Sequence, residues 1–458
     1  MVSAQSTGEY KPKYQTIAQK FILSEKGLVS DYKVGAALKR LDDIIDEALK
    51  RIGKEVKIKD SRLVSRNSTS NALDILQAIN DVFEYRRFGN KANNLFSEGL
   101  LAGNLDCENR AYVYLAIAEL LDLPMTMVRA PEHTFIRWEV ELGRSINWET
   151  TSGERAEDRW YRRTYGISGE SIDKGIYMRN LSREEVFCHQ YNTLSVVWFD
   201  KGNGDKAVEF IGKSVELCSD YPGFLINMAA ILSQEQRYDE IVKHCTNAIK
   251  LNPEYSIAYE KRGIAWLRLN QFDKALNDFN VSLSIDPENH VSVFNRGVAW
   301  LGKNSPDKAV SDFEMAKELG GVDDFSFYIN MGHVWHQKGV LEKAIDNFDK
   351  AIELYQGFYS VYFARGIALY EIGKYEKAAA DFSKAIKLEP NHFTLYYNRG
   401  SARLRLGKYD GAIEDFDKVL ELRPGYKGAI KAKKYALKRK RFVENVNKEE
   451  KVVGGVYK

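Results

Sequence analysis

Five glycines recur along the C-terminal half of this chain, Gly263, Gly297, Gly332, Gly366 and Gly400, spaced 34, 35, 34 and 34 residues apart. Twelve residues after each stands an alanine (Ala275, Ala309, Ala344, Ala378, Ala412), and four further on a phenylalanine (Phe279, Phe313, Phe348, Phe382, Phe416). A helix-turn-helix unit of this length cannot bury its own apolar face, so neighbouring units must stack on one another. The small residues allow two helices to cross closely, and the ring fills the space beside the crossing. Ser195 and Ala207 carry the same register back to a first unit near Cys188. A weaker second unit starts near Pro222, with Ile241 in the alanine slot and Cys245 in the aromatic one, so Cys245 reads as an inert core thiol. Seven units over residues 188–425 are therefore expected, and an array of this kind binds something.

Small residue at position 8, alanine at 20, aromatic at 24, small at 27 and proline at 32 is a pattern that resembles the tetratricopeptide family, over roughly half the chain. Pro253, Pro287, Pro390 and Pro424 fill the last slot, while Ser219, Gly321 and Gln356 depart from it. The resemblance implies an all-α superhelix and a protein or peptide partner on its concave face, lined by the first helix of each unit. Those positions include Phe294, Ile329, His333, His336, Phe363, Ile367, Tyr370 and Tyr397, an apolar and aromatic set. Packing between helices is the alternative role for several of them. The lysine/asparagine set with which some relatives hold an acidic peptide C-terminus is missing, so that clamp is not expected. His333 and His336 lie one turn apart, but groove or core histidines are far commoner than ligands. No metal and no cofactor is expected.

A formal net charge of +3 gives no general affinity for nucleic acid or membrane, and no run of eighteen apolar residues exists. Only Lys427 to Arg441 is locally basic, which reads as a solvated capping helix, with contact to an acidic partner or RNA as the alternative. Four cysteines in 458 residues do not make a disulfide framework, so a reducing, cytoplasmic setting is the default. Nothing bears on oligomeric state.

Upstream, residues 1–30 are polar without a clear period and read as a loose arm. Helical spacing runs from Asp31 to Val56 (Val34, Leu38, Leu41, Ile45, Leu49), and a second helix follows Asn71. A third, from Glu108, stops at Leu123-Pro124, because proline disfavours helical geometry in the residue before it. Met125–Arg129, Thr134–Glu141 and Ser145–Thr150 alternate like strands, with a turn at Gly143-Arg144. Residues 151–182 read as an irregular bridge. The resulting map is an arm over 1–30, an α+β domain over 31–182, repeats over 188–425, and a basic helix and tail over 426–458; the whole is mostly helical.

Cys107 opens the third helix, where the helix N-terminus favours the thiolate, the form that attacks carbonyls. Asp106 and Glu108 oppose this unless they point away. Twenty-six residues later His133 begins a strand, and sixteen beyond it Glu149 lies on the return strand, sharing a face with Asn147 opposite Trp148. A cysteine at a helix start, a histidine on one strand and an orienting polar group on the next make a thiol acyl-transfer site. Over residues 100–152 this arrangement resembles the transglutaminase-like superfamily, papain-related in fold, with Glu149-Thr150-Thr151 where an acid and a Pro-Thr pair usually stand. The resemblance implies Cys107 as nucleophile, His133 as general base and acid, and Glu149, or Asn147 in its place, as the group orienting His133. The backbone N–H of Cys107, together with Asn104, would receive the oxyanion. The expected activity is hydrolysis or transfer of an acyl group at an amide, with the repeats recruiting a substrate or regulator. The alternative is a non-catalytic scaffold whose N-terminal fold serves as a recognition module.

Overall fold

The computed structural model describes residues 11–55, 69–89, 95–131, 133–140, 144–167, 169–173, 176–320 and 324–456. The chain divides into two compact units, Met1–Lys261 and Arg262–Lys458.

The first unit begins with α1 (Ile17–Ser24), which buries Ile17, Ala18, Phe21 and Ile22. Phe21 meets Tyr112 edge-on at 4.3 Å and Phe187 at 4.7 Å. The expected loose arm is thus wrong over this stretch: two adjacent apolar pairs one turn apart give the short helix a face that must be covered. Residues 1–10 lie outside those described. Glu25 follows, its buried carboxylate accepting from the backbone N–H groups of Phe96 (2.7 Å) and Ser97 (3.0 Å). It thereby caps α4 (Phe96–Ala102), beyond α2 (Asp31–Glu55) and α3 (Thr69–Tyr85). Leu38, Leu41, Ile45 and Ile52 of α2, Ile75, Leu76, Ile79 and Phe83 of α3, and Tyr112, Tyr114 and Ile117 of α5 (Cys107–Leu121) share one core. Asp122 ends α5 in the left-handed region, at φ 51°.

Against α5 lies an antiparallel sheet in the order β4-β3-β2-β1-β5, formed by β1 (Met125–Ala130), β2 (His133–Val140), β3 (Arg144–Glu149), β4 (Glu154–Ala156) and β5 (Asn180–Leu181). The three alternating segments are strands as expected; the turn at Gly143-Arg144 falls mainly outside the described residues. The expected irregular bridge contains β4, β5, α6 (Asp158–Thr164) and α7 (Gly169–Asp173). Burial explains Tyr161, which stacks on Phe135 at 3.9 Å, whereas Arg155, Arg159, Arg162 and Arg163 are exposed.

Two helical hairpins complete this unit: α8 (Arg183–Asp200) with α9 (Gly204–Leu217), and α10 (Pro222–Gln234) with α11 (Tyr238–Leu251). A boundary after residue 182 is therefore not where compactness ends; these two hairpins fold with the sheet-bearing part. Arg129 of β1 anchors the join. Its buried guanidinium donates to Ile176 O (3.0 Å) and lies 4.0 Å from the Tyr221 ring. Cys188 and Cys218 are disulfide-bonded, tying α8 to the end of α9. One pair is no framework, and Cys107 and Cys245 are free. Cys245 is fully buried, as a core thiol should be.

In the second unit the hairpins repeat regularly: Phe272–Ile285 after the helix that ends at Arg268, then His290–Gly302 with Pro306–Glu318, Phe325–Gln337 with Leu341–Leu354, Tyr359–Glu371 with Tyr375–Leu388, and Phe393–Arg405 with Tyr409–Leu422. The close crossing is literal. A Cβ on Gly366 would stand 2.7 Å from Phe382 Cε1, and the four other register glycines face their phenylalanines in the same way. A second ladder accompanies it. Arg262, Arg296, Arg365 and Arg399 fork onto Asp278, Asp312, Asp381 and Asp415, each sixteen residues on, at 2.6–3.2 Å. A terminal helix, Lys427–Val456, packs Ala429 and Ala436 onto Ala412, Phe416 and Val419. Lys433 and Lys440 of its basic stretch pair with Asp417 and Asp410. Two of the eight cations between Lys427 and Arg441 are thus answered within the fold.

Candidate active site

Asp106 accepts a hydrogen bond from Asn109 N (2.9 Å), which starts α5 at Cys107. The thiol is half-buried and lines a cleft of about 250 Å³ together with Glu108, Ala130, His133 and Thr134. Thr150 Oγ1 donates to Cys107 O (3.0 Å), fastening the end of β3 to the helix start. Buried Arg110 reinforces that tie, with Nη1 on Thr150 O (3.3 Å), Nη2 on Phe88 O (3.1 Å) and Nε on Leu105 O (3.2 Å).

Across the sheet, β2 and β3 pair with Ile136 opposite Trp148 and Arg137 opposite Asn147. Continued towards the strand ends, this register sets Glu149 opposite Phe135 and His133 opposite Thr151, which makes His133 and Glu149 diagonal neighbours on one face. His133 Nε2 lies 2.6 Å from Glu149 Oε2, and both side chains are nine-tenths buried. Glu149 Oε1 accepts from Thr151 Oγ1 at 2.9 Å. With Nε2 on the carboxylate, Nδ1 is the nitrogen left for the thiol. Tyr165 stacks on the imidazole at 5.2 Å and 11°. Burial alone would disfavour the imidazolium, but hydrogen bonding to Cys107 and Glu149 outweighs it and His133 is pushed up to about 9. Burial raises the Glu149 carboxyl, and the hydrogen bond to His133 reverses that, leaving it below its usual range.

Glu108 does not oppose a thiolate as strongly as its formal charge implies. Burial and the neighbouring Asp106 hold its carboxyl up at about 7, against a hydrogen bond from the Tyr112 hydroxyl. Trp148 faces the core from the other side of β3, donating to the Tyr114 hydroxyl at 2.9 Å.

Two expected members of the site are elsewhere. Asn147 shares the sheet face of Glu149, but its Oδ1 accepts from Arg137 (2.8 Å) and its Nδ2 donates to Asp158 (2.6 Å). It holds α6 to the sheet and does not orient His133. Asn104 packs its amide where a Cβ on Gly89 would stand, against the strand-like contact between those two residues, and is not among the residues of the Cys107 cleft. The oxyanion role carried over to its side chain is therefore withdrawn.

The cleft has a wall that the local sequence does not announce. His189 and Asn192 of α8, Phe224 and Asn227 of α10, and Tyr221 and Tyr255 complete it.

Within the array, Phe294, His333 and His336 line one groove of about 680 Å³ with Val298 and Asn330. His336 Nε2 sits 3.1 Å from Glu371 Oε2 without hydrogen-bond geometry. Ile329, Phe363, Ile367, Tyr370 and Tyr397 instead pack, half-buried, into the clusters around Phe348, Phe382 and Phe416. No cluster of metal-ligating residues and no helix long and apolar enough to cross a membrane occurs among the described residues.

Comparison with known proteins identifies the repeats. Residues 363–427 match the family model described as Tetratricopeptide repeat. A stretch of 79 residues is 30% identical to the TPR repeat-containing thioredoxin TTL4 of Arabidopsis thaliana, covering 17% of this chain and 12% of that protein. Another of 116 residues is 28% identical to the mitochondrial import receptor subunit TOM70 of Rattus norvegicus, covering 24% of this chain and 18% of that one. Among solved structures, YrrB, a TPR protein with an unusual peptide-binding site, is 24% identical over 42% of this chain and 97% of its own, at a TM-score of 0.36. A tetratricopeptide repeat protein from Parabacteroides merdae is 20% identical over 55% of this chain and 98% of its own, at 0.43. The matched stretches span less than a fifth of these curated relatives.

Proposed function

We propose that the repeat array binds a protein or peptide segment and that the Cys107 cleft is a thiol acyl-transfer site acting on an amide. Binding is supported by the repeat match and by the groove at Phe294, His333 and His336. The chemistry rests on a single observation: Cys107 and His133, far apart in sequence, line one cleft, and His133 is hydrogen-bonded to Glu149.

In the proposed cycle the Cys107 thiolate attacks the amide carbonyl carbon and a C–S bond forms. The oxygen develops negative charge beside the Cys107 N–H, a first-turn donor without an intrahelical partner. His133 gives its proton to the departing nitrogen as the C–N bond breaks, which leaves a thioester. Water or an amine then attacks the thioester carbon, His133 takes the incoming proton, and the thiolate is regenerated. Glu149 keeps the imidazole oriented and favours its charged form. Hydrolysis and transfer differ only in the second nucleophile.

A second reading keeps the cleft as a recognition module without chemistry. It is favoured by the match of residues 363–427 to the tetratricopeptide repeat model, which bears on the array rather than on the thiol. Alkylation by iodoacetamide separates the two. Rapid modification of Cys107, lost in His133→Ala, supports the enzyme; a Cys107 no faster than glutathione supports the module.

A further inference from the structure

Glu149 fixes one nitrogen of His133, and a helix that the proposed cycle does not use lies against the plane of its ring. Phe135 follows His133 by two residues, on the same face of β2. Tyr161 of α6 stacks on Phe135 at 3.9 Å and 14°, and Tyr165, which caps α6, stacks on His133 at 5.2 Å and 11°. The match has a geometric cause. Two residues along a strand advance about 6.7 Å and four along a helix about 6 Å, so rings four apart on α6 meet rings two apart on β2. Tyr161 also reaches the ion pair: its ring lies 6.1 Å from the imidazole, and its hydroxyl donates to Glu149 Oε2 at 3.5 Å. Trp160 braces the two tyrosines edge-on, at 4.9 and 6.2 Å.

The other end of α6 is pinned to the same face of the sheet. Asp158, its first residue, accepts from Asn147 Nδ2 (2.6 Å) and Arg137 Nη2 (2.9 Å). Neither tyrosine is among the residues of the Cys107 cleft, so their contact is with the imidazole and not with a bound molecule. Charged and titratable groups reach His133 from three elements: Cys107 on α5, Glu149 on β3 and the two tyrosines; Glu108 and His189 share its cleft. An aromatic face is negative and attracts a cation within about 6 Å of its centre. The Tyr165 ring therefore fixes the plane of the imidazole and favours its charged form.

We propose that α6 positions the reacting imidazole: Tyr165, with Tyr161 beside it, holds His133 against an aromatic face, and Asp158, through Arg137 and Asn147, holds α6 on the sheet. This rests on the thiol-site reading above. It gives Asn147 an indirect part in the site, through the helix that it anchors, and makes Tyr165 a positioning residue.

Histidine labelled with 13C in the full-length chain reads the effect directly, the His133 signal being assigned by its loss in His133→Gln. In the wild type that signal should titrate at about 9. Tyr165→Leu keeps an apolar cover but removes the aromatic face, and should move the titration down by about half a pH unit. The alkaline fall in Cys107 alkylation by iodoacetate, an anion drawn by the imidazolium, should move with it. Tyr165→Phe keeps the ring and should leave both in place. Should Tyr165→Leu fail to fold, Asp158→Ala, which only unpins α6, should give a smaller shift in the same direction. A His133 titration unmoved or raised in these variants, or lowered equally by Tyr165→Phe, overturns the clamp, while a Cys107 faster than glutathione leaves the thiol site standing. A wild-type Cys107 no faster than glutathione removes the thiol site, and with it any part of α6 in a reaction.

Discussion

The repeat array and the Cys107 cleft deal with buried polar groups in opposite ways. In the array each buried aspartate of the ladder meets its arginine inside the same hairpin, sixteen residues away, with both oxygens engaged. In the cleft the polar groups come from separated segments, at Cys107, His133 and His189, and His189 Nε2 is left without a partner. A fully paired charge stabilises a fold, whereas removing one member of a buried pair costs about 3–5 kcal/mol. A buried group left unpaired destabilises unless something else pairs with it. The contrast separates polar groups that hold a hairpin together from polar groups that distant segments bring to one cleft.

The sharpest way to break the comparison is at His133. His133→Ala should slow alkylation of Cys107 near pH 7 by about 10²–10⁴, the usual worth of a positioned acid–base group, with the circular dichroism unchanged. An equal loss from a substitution in the array would erase the distinction.

Next in size is the array itself. Phe382→Ala empties a fully buried ring site beneath Gly366 and should lower unfolding free energy by about 3–5 kcal/mol in urea titration. The Cys107 rate should stay within about twofold, since distant independent sites add to within about 0.3–0.5 kcal/mol.

The pH dependence sharpens the cleft. A folded-state pKa raised to about 9 means that His133 contributes stability fully present below about 6.5, lost as pH climbs through 9, and worth up to about 3 kcal/mol. Glu149 is shifted downward, so its share is present above its unfolded value and lost as pH falls. The stability gap between the wild type and Glu149→Gln should therefore peak near pH 5–6.5 and shrink steadily towards pH 9. A gap that grows with pH would mean that the pair is not ionised.

The smallest effect belongs to the surface. Lys433→Ala removes an ion pair with Asp417 whose two side chains are 31% and 50% exposed, and should cost less than about 1 kcal/mol at 0.15 M salt. A larger loss would show that the terminal helix is held by charge rather than by Ala429 and Ala436.

What could be read in advance follows the same division. Gly366, Ala378 and Phe382 touch within one hairpin, so their spacing recurs and announces itself. The arginine–aspartate ladder sits one residue before the glycine and one before the phenylalanine, and the same periodicity would have revealed it. The convergence of Cys107, His133 and Glu149 was legible because a helix start and a two-strand register bring them together locally. Asn147 was misread because alternation fixes a face but not a partner, and Arg137 reaches it first. His189 had no signal at all. Its place in the cleft depends on α8 packing against the sheet-bearing part, a contact between segments that no period links. The helix at Ile17–Ser24 was missed because two turns are too few to establish a period, and its burial is decided by Phe21 finding Tyr112.

The most direct test of the thiol site is to trap its covalent intermediate. Mixed with p-nitrophenyl acetate, the full-length chain should release close to one equivalent of nitrophenolate in a rapid burst and carry a single acetyl group on Cys107, with both absent in Cys107→Ala. Release without a burst, or acetyl groups scattered over lysines with Cys107 untouched, would contradict the account.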